Sequence, residues 1–173
     1  MNTDGVHTAG SVLYIEDNLI NTMLVERILQ ARPGVVFASA ADGRTGLDHA
    51  ERLQPDLVLL DLELPDIGGE QVLAGLRAGP VTRTIPVIVV SADIDPAVHH
   101  RILSAGARFV LTKPYDVSDL LRLVDGVLPR PVTPTDPDGL GSPAVDTGPQ
   151  HGHADVVVRR SVPEYLADDR LRE

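Results

Sequence analysis

Three runs of four residues, "VLYI" at 12–15, "LVLL" at 57–60 and "VIVV" at 87–90, carry apolar or aromatic side chains at every position. A strand with one wet face alternates apolar and polar residues. Runs that are apolar throughout need cover on both faces. Two further β-rich runs, Val35–Ala38 and Arg108–Leu111, make five strands. Amphipathic stretches separate them. "NLINTMLVERILQ" sets Leu19, Met23, Leu24, Ile28 and Leu29 near one stripe, and "VSDLLRLVDGVL" does the same with Leu120, Leu121, Val124, Val127 and Leu128. Strand and helix alternate five times, so the expected class is α/β: a doubly wound parallel sheet with helices on both faces. Right-handed crossovers leave few topologies. Ligands of such sheets lie beyond the carboxyl ends of the strands, where strand order reverses.

The composition divides the chain. Residues 1–10 read as a leader and 11–128 as the globular unit. Residues 129–173 hold 7 of the 14 prolines and read as a largely disordered tail with one short helix at 163–172. No internal repeat is visible. There is no cysteine for a disulfide or a thiolate metal site. The first residues have no basic, then apolar, signal-peptide pattern, and no run reaches the ~18 apolar residues of a membrane span. A formal charge of −10 opposes binding to nucleic acid or anionic lipid. A cytoplasmic protein is expected.

The strand ends carry the chemistry. The first ends in Glu16-Asp17, the third in Asp61, the fourth in Ser91 and the fifth in Lys113-Pro114. Singly, each has an ordinary role as a helix cap, a first-turn charge or a surface lysine. Together they supply what phosphoryl transfer onto a carboxylate requires. The aspartate is a nucleophile, neighbouring carboxylates hold a Mg²⁺ that offsets its repulsion from the phosphoryl group, and a hydroxyl and an ammonium take the remaining oxygens. Lys113 is the one lysine among 15 Lys and Arg residues. A compact ammonium suits a phosphoryl oxygen beside a metal better than the wider arginine fork.

Over residues 11–128 the chain resembles the receiver domains of two-component response regulators. The resemblance rests on "YIEDN", "LLDLELPDIGGEQVL", "VVSAD" and "LTKPYD", with spacings of 44 (Asp17 to Asp61), 30 (to Ser91) and 22 (to Lys113). Pro65 and Gly69, four and eight residues after Asp61, also match. The resemblance implies a flavodoxin-like five-stranded sheet of order 2-1-3-4-5. It implies Asp61 as phosphoacceptor, Glu16 and Asp17 as the acidic metal pocket, the backbone carbonyl of Glu63 as a further Mg²⁺ ligand, and Ser91 and Lys113 on the phosphoryl group. The implied donor is a histidine kinase or histidine phosphotransfer protein. The chain would then signal by protein–protein contact without being an enzyme. The fourth helix, fifth strand and fifth helix form the surface for a homodimer or output partner.

Three positions depart from the family pattern. Glu16 stands where Asp is common, with a longer reach that brings in a bridging water. Gly68 replaces a frequent acidic residue, which predicts a looser loop. Val110 takes the place of the aromatic that moves on phosphorylation, and strand alternation turns the adjacent Phe109 to the opposite face. Phosphorylation with a small output motion is therefore expected, and Tyr115 reads as a packing residue. The wording of "VLYIEDN" and "GARFVLTKPYDVSDLLRLVD" also resembles receivers of hybrid histidine kinases, although Met1 and the short leader favour an independent gene. A haloacid dehalogenase-type hydrolase would need an acid/base aspartate where Glu63 stands. A flavodoxin-like FMN carrier would need a hydroxyl-rich loop where "EDNLIN" stands. His99-His100, His151 and His153 read as solvated histidines, and Gly43 with Gly46 forms no dinucleotide fingerprint.

Overall fold

The computed structural model describes residues 9–92 and 95–129. The elements run β1 (Ala9–Ile15), α1 (Leu19–Leu29), β2 (Gly34–Ala40), α2 (Gly43–Leu53), β3 (Leu57–Asp61), α3 (Gly69–Ala78), β4 (Val87–Ser91), α4 (Pro96–Ser104), β5 (Phe109–Thr112) and α5 (Val117–Val127). All strands pair in parallel, in the order β2-β1-β3-β4-β5. This is the flavodoxin-like doubly wound sheet, with its strand order reversing between β1 and β3. The tail beyond residue 129, including the helix expected at 163–172, lies outside the described residues, as does most of the leader.

The apolar runs are buried as their composition requires: β3 and β4 are buried at every position. Alternate residues of the sheet feed two cores. Tyr14, Leu57, Leu59, Ile88 and Val90 pack with α1 and α5, while Leu13, Ile15, Leu60, Val87 and Val89 pack with α2, α3 and α4. Leu120, Val124 and Leu128 are buried, as the α5 periodicity predicts. Strands β1 and β2 are longer than their apolar runs, because pairing extends from Ala9↔Gly34 to Ile15↔Ala40. The β5 strand begins one residue later than expected, at Phe109.

The α1 stripe differs from expectation. Its buried face is Thr22, Val25, Ile28 and Leu29. Leu19, Ile20, Met23 and Leu24 are exposed, by 70%, 75%, 54% and 51%. Both faces of this helix carry apolar residues, so periodicity alone cannot choose between them. The observed face packs Val25, Ile28 and Leu29 into the core with the sheet and α5, and contacts at both ends fasten the helix. The Asn18 side chain caps the helix through the Ile20 and Asn21 amides at 2.9 and 3.3 Å. Beyond the helix end, Arg32 pairs in two-pronged fashion with Asp125 of α5, at 2.8 and 2.5 Å.

The other helices begin on similar devices. Asp42 Oδ1 accepts the Thr45 amide at 2.7 Å to start α2, and Asp95 accepts the Ala97 amide at 2.8 Å ahead of Pro96 to start α4. Gly106, at φ +107°, turns the chain from α4 into β5. Among the described residues no helix is long and apolar enough to cross a membrane.

Candidate functional site

Strand register brings the chemistry to one edge. Asp61 is the last residue of β3 and pairs with Val90, and Ser91 ends β4 opposite Thr112. Glu16 follows β1 directly and Lys113 follows β5. Glu16, Asp61 and Ser91 are all buried, at 3–4% exposure, and Lys113 is half-buried.

Lys113 joins the two acids. Its Nζ donates to Asp61 Oδ2 and, at 3.1 Å, to Glu16 Oε2. The other Asp61 oxygen accepts the Glu63 amide at 2.9 Å. The Lys113 amide donates to the Ser91 carbonyl at 2.7 Å, which ties the start of "KPYD" to the end of β4. The Lys113–Pro114 peptide is cis.

The Glu16 carboxylate is surrounded. Oε2 accepts the Tyr14 hydroxyl at 2.7 Å and the Asn21 side-chain amide at 3.2 Å, besides Lys113; Oε1 accepts the Asn18 backbone amide at 3.1 Å. Neither Tyr14 nor Asn21 was singled out among the candidate residues. Tyr14 had a signal, because residues two apart on a strand share a face, and Tyr14 stands two before Glu16.

Burial pushes the Asp61 carboxyl up, with the adjacent Glu16 acting in the same direction against its bond to Lys113. Burial also disfavours ionised Glu16, but the Tyr14 hydroxyl, the neighbouring Asp61, the Asn18 amide and Lys113 together outweigh it and hold the acid low. For Lys113, burial favours the neutral amine, and the bonds to Asp61 and Glu16 outweigh it, so the ammonium is held above its ordinary range. Burial raises the Tyr14 phenol, and Glu16 adds to the effect.

Asp17 points to solvent beside this cluster, and Glu63 is exposed. Among the described residues no three carboxylates or imidazoles close around a single point. The site nevertheless fits a divalent cation by charge. Glu16, Asp17 and Asp61 bring three negative charges and Lys113 one positive, an excess of two from oxygen donors only, of which Asp17 is exposed.

The loop after Asp61 is tighter than the sequence suggests. Gly69 packs hard against the strand end: a Cβ there would stand 2.4 Å from the Asp61 carbonyl oxygen and 2.6 Å from Leu62 Cα. Gly68, expected to loosen the loop, sits at φ −63°, and its amide donates to Gln71 Oε1 at 3.2 Å. Asp66 fastens the loop to the start of α2, accepting the Gly43 and Arg44 amides at 2.7 and 2.9 Å. Against a desolvation that opposes it, these amides lower the Asp66 carboxyl to about 2.

Val110, where the resemblance leads one to expect an aromatic, is half-buried against the α2–α4 core. Phe109 faces outward, and the Arg108 guanidinium lies 5.8 Å from its ring centroid. Tyr115 packs against the α1–α5 core.

The family model described as the response regulator receiver domain matches residues 12–125. The polar-differentiation response regulator DivK of Brucella anthropi is 31% identical over 118 residues, which span 68% of this chain and 95% of DivK. A protein-glutamate methylesterase/protein-glutamine glutaminase of Anaeromyxobacter dehalogenans is 36% identical over 127 residues, 67% of this chain but 36% of that longer protein. Among solved structures, the receiver domain of sensor histidine kinase PA1611 from Pseudomonas aeruginosa, with a magnesium ion coordinated in its active site cleft, superposes with a TM-score of 0.63 at 28% identity. The match covers 69% of this chain and 97% of that one.

The chain belongs to the response regulator receiver domain family. It is a phosphoacceptor signalling module of a two-component system, a class that interacts with histidine kinases or phosphotransfer proteins. The match accounts for nearly all of the described residues, and nothing found supports a haloacid dehalogenase-type hydrolase.

Proposed function

We propose that Asp61 accepts a phosphoryl group from the phosphohistidine of a histidine kinase or phosphotransfer protein. The N–P bond of the donor breaks, an Asp61 carboxylate oxygen forms the new O–P bond, and the donor imidazole leaves. The observation that carries this reading is the Asp61 carboxylate at the end of β3, held by the Lys113 ammonium. Asp17, Asp61 and the Glu63 carbonyl would hold Mg²⁺, with Glu16 in the same acidic pocket. When bound, the cation supplies the positive charge that lets two anions approach. Lys113 neutralises Asp61 at rest and a phosphoryl oxygen afterwards, and the Ser91 hydroxyl takes another.

The donor docks on α1. Leu19, Ile20, Met23 and Leu24 form an exposed apolar stripe that begins two residues after Asp17. A macromolecule delivering a phosphoryl group to Asp61 must cover this edge of the sheet, and burial of the stripe supplies the affinity. Output runs through α4, β5 and α5, where Leu103, Phe109 and Val117 are exposed, either to a second copy or to a downstream protein. With Val110 in place of an aromatic, the accompanying motion is small. The module signals by contact and has no catalytic output of its own.

The test is incubation with Mg²⁺ and acetyl phosphate. One acid-stable, base-labile phosphoryl group per chain is expected, lost in Asp61→Asn. Labelling that persists in this variant sinks the assignment.

A further inference from the structure

We propose that Tyr14 is a positioning residue: its hydroxyl holds the Glu16 carboxylate on Lys113 and away from the divalent cation. Glu16 then serves as the second counter-ion of the lysine and not as a metal ligand. This rests on the reading of Asp61 as phosphoacceptor and assigns a role to the group beside it.

Tyr14 is fully buried in the core under α1 and α5. A phenol so placed needs a partner for its hydroxyl. Strand alternation turns it to the same side as Glu16, where the 2.7 Å bond forms. The carboxylate then receives four donors: the Tyr14 hydroxyl, the Asn21 amide and Lys113 on Oε2, and the Asn18 backbone amide on Oε1. An ionised carboxylate offers about four lone-pair sites. Three of the four donors fall on Oε2, so that oxygen has no site left for a cation and only Oε1, beside the Asn18 amide, keeps one, whereas Asp17 next to it is exposed.

The arrangement also gives Lys113 a fixed anchor. Its ammonium is shared between Glu16 and Asp61. When an Asp61 oxygen becomes bonded to phosphorus and Lys113 turns to a phosphoryl oxygen, the bond to Glu16 keeps the lysine at the site. Tyr14 and Asn21 keep Glu16 in turn.

Tyr14→Phe deletes one donor and keeps the ring in the core. Glu16, freed on one side, turns toward the cation. Calorimetric titration with Mg²⁺ should show affinity raised about three- to tenfold, the net share of one hydrogen bond. The rate of phosphorylation by acetyl phosphate at saturating Mg²⁺ should fall by a similar factor as Lys113 loses its anchor. In a Glu16→Gln background, Tyr14→Phe should change neither quantity by more than about twofold, and Asn21→Ala should shift Mg²⁺ affinity in the same direction as Tyr14→Phe. Unchanged Mg²⁺ affinity in Tyr14→Phe and Asn21→Ala overturns the proposal, and so does an equal change without the Glu16 carboxylate. A wild-type chain that binds Mg²⁺ but takes no phosphoryl group refutes the Asp61 assignment instead, while the paired Mg²⁺ titrations still judge Tyr14.

Discussion

The Lys113 ammonium reaches from the end of β5, past the end of β4, to the Asp61 carboxylate on β3. It spans one intervening strand, and its bond to Glu16 carries the contact on to β1. One side chain thus links three of the five strand ends.

Replacing that side chain tests its shape as well as its charge. Lys113→Arg should fold normally, because the position is only half-buried and the charge is kept. The wider fork cannot occupy the narrow space between Glu16 and Asp61 and still leave room for a phosphoryl group. Phosphorylation by acetyl phosphate should slow by at least about tenfold, on the order of 1.4 kcal/mol, with the far-UV circular dichroism unchanged. Wild-type rates would show that charge alone suffices.

Asp61→Asn should stabilise the resting protein. A buried acid whose folded pKa is raised is easier to ionise in the unfolded chain, so ionised Asp61 costs stability at neutral pH. Its removal should raise Tm by roughly 2–4 °C at pH 7. The gain should shrink as pH falls and Asp61 takes up its proton. Mg²⁺ should raise the Tm of the wild type more than that of the variant. Thermal melts at pH 7 and pH 4, with and without Mg²⁺, check all three.

The apolar stripe on α1 separates donor docking from chemistry. Ile20→Asp is at an exposed helix position and should cost about 0.5 kcal/mol or less in stability. Transfer from a phosphorylated kinase or phosphotransfer protein should fall about tenfold or more, while labelling by acetyl phosphate stays as in the wild type. Equal loss from both donors would remove α1 from the docking surface.

The two adjacent glycines should respond oppositely. Gly69→Ala drives a Cβ into the Asp61 carbonyl and Leu62 backbone and should cost about 1–3 kcal/mol. Gly68→Ser meets nothing within 4 Å, keeps an ordinary extended backbone and adds a helix-capping hydroxyl. A gain of about 0.5–1 kcal/mol is expected in urea unfolding.

Asp66 should mark the acid limb of stability. Its pKa is about 2 when folded, against an ordinary ~3.9 in an unfolded chain. Its contribution is therefore fully present above about pH 4 and is lost as pH falls through about 2. Asp66→Asn should flatten the pH dependence of unfolding between those limits, read by circular dichroism.

Much of the architecture was legible in the chain itself. Strands apolar at every position have one solution, burial on both faces, and that places the three central strands, while the alternation with amphipathic helices gives the class of sheet. The acids, the serine and the lysine were legible as strand-end residues because each lies within two positions of the end of a β-rich run. The buried face of α1 was not, since apolar residues on both sides leave periodicity undecided until the helix packs against the sheet and α5. Nor was the tightness of the Gly68 loop, which depends on Asp66 meeting Gly43, 23 residues away.

The linear pattern of hydrophobic runs determined which elements form and where polar residues interrupt them, because burial follows side-chain type along the chain. The tertiary structure decided which of those polar residues meet. Lys113 and Glu16 are 97 positions apart, and only a parallel sheet of this strand order brings them to 3.1 Å. Hydrogen bonds act over a few ångströms, so the state of each charge at the site is set by neighbours that the fold, and not the sequence order, provides.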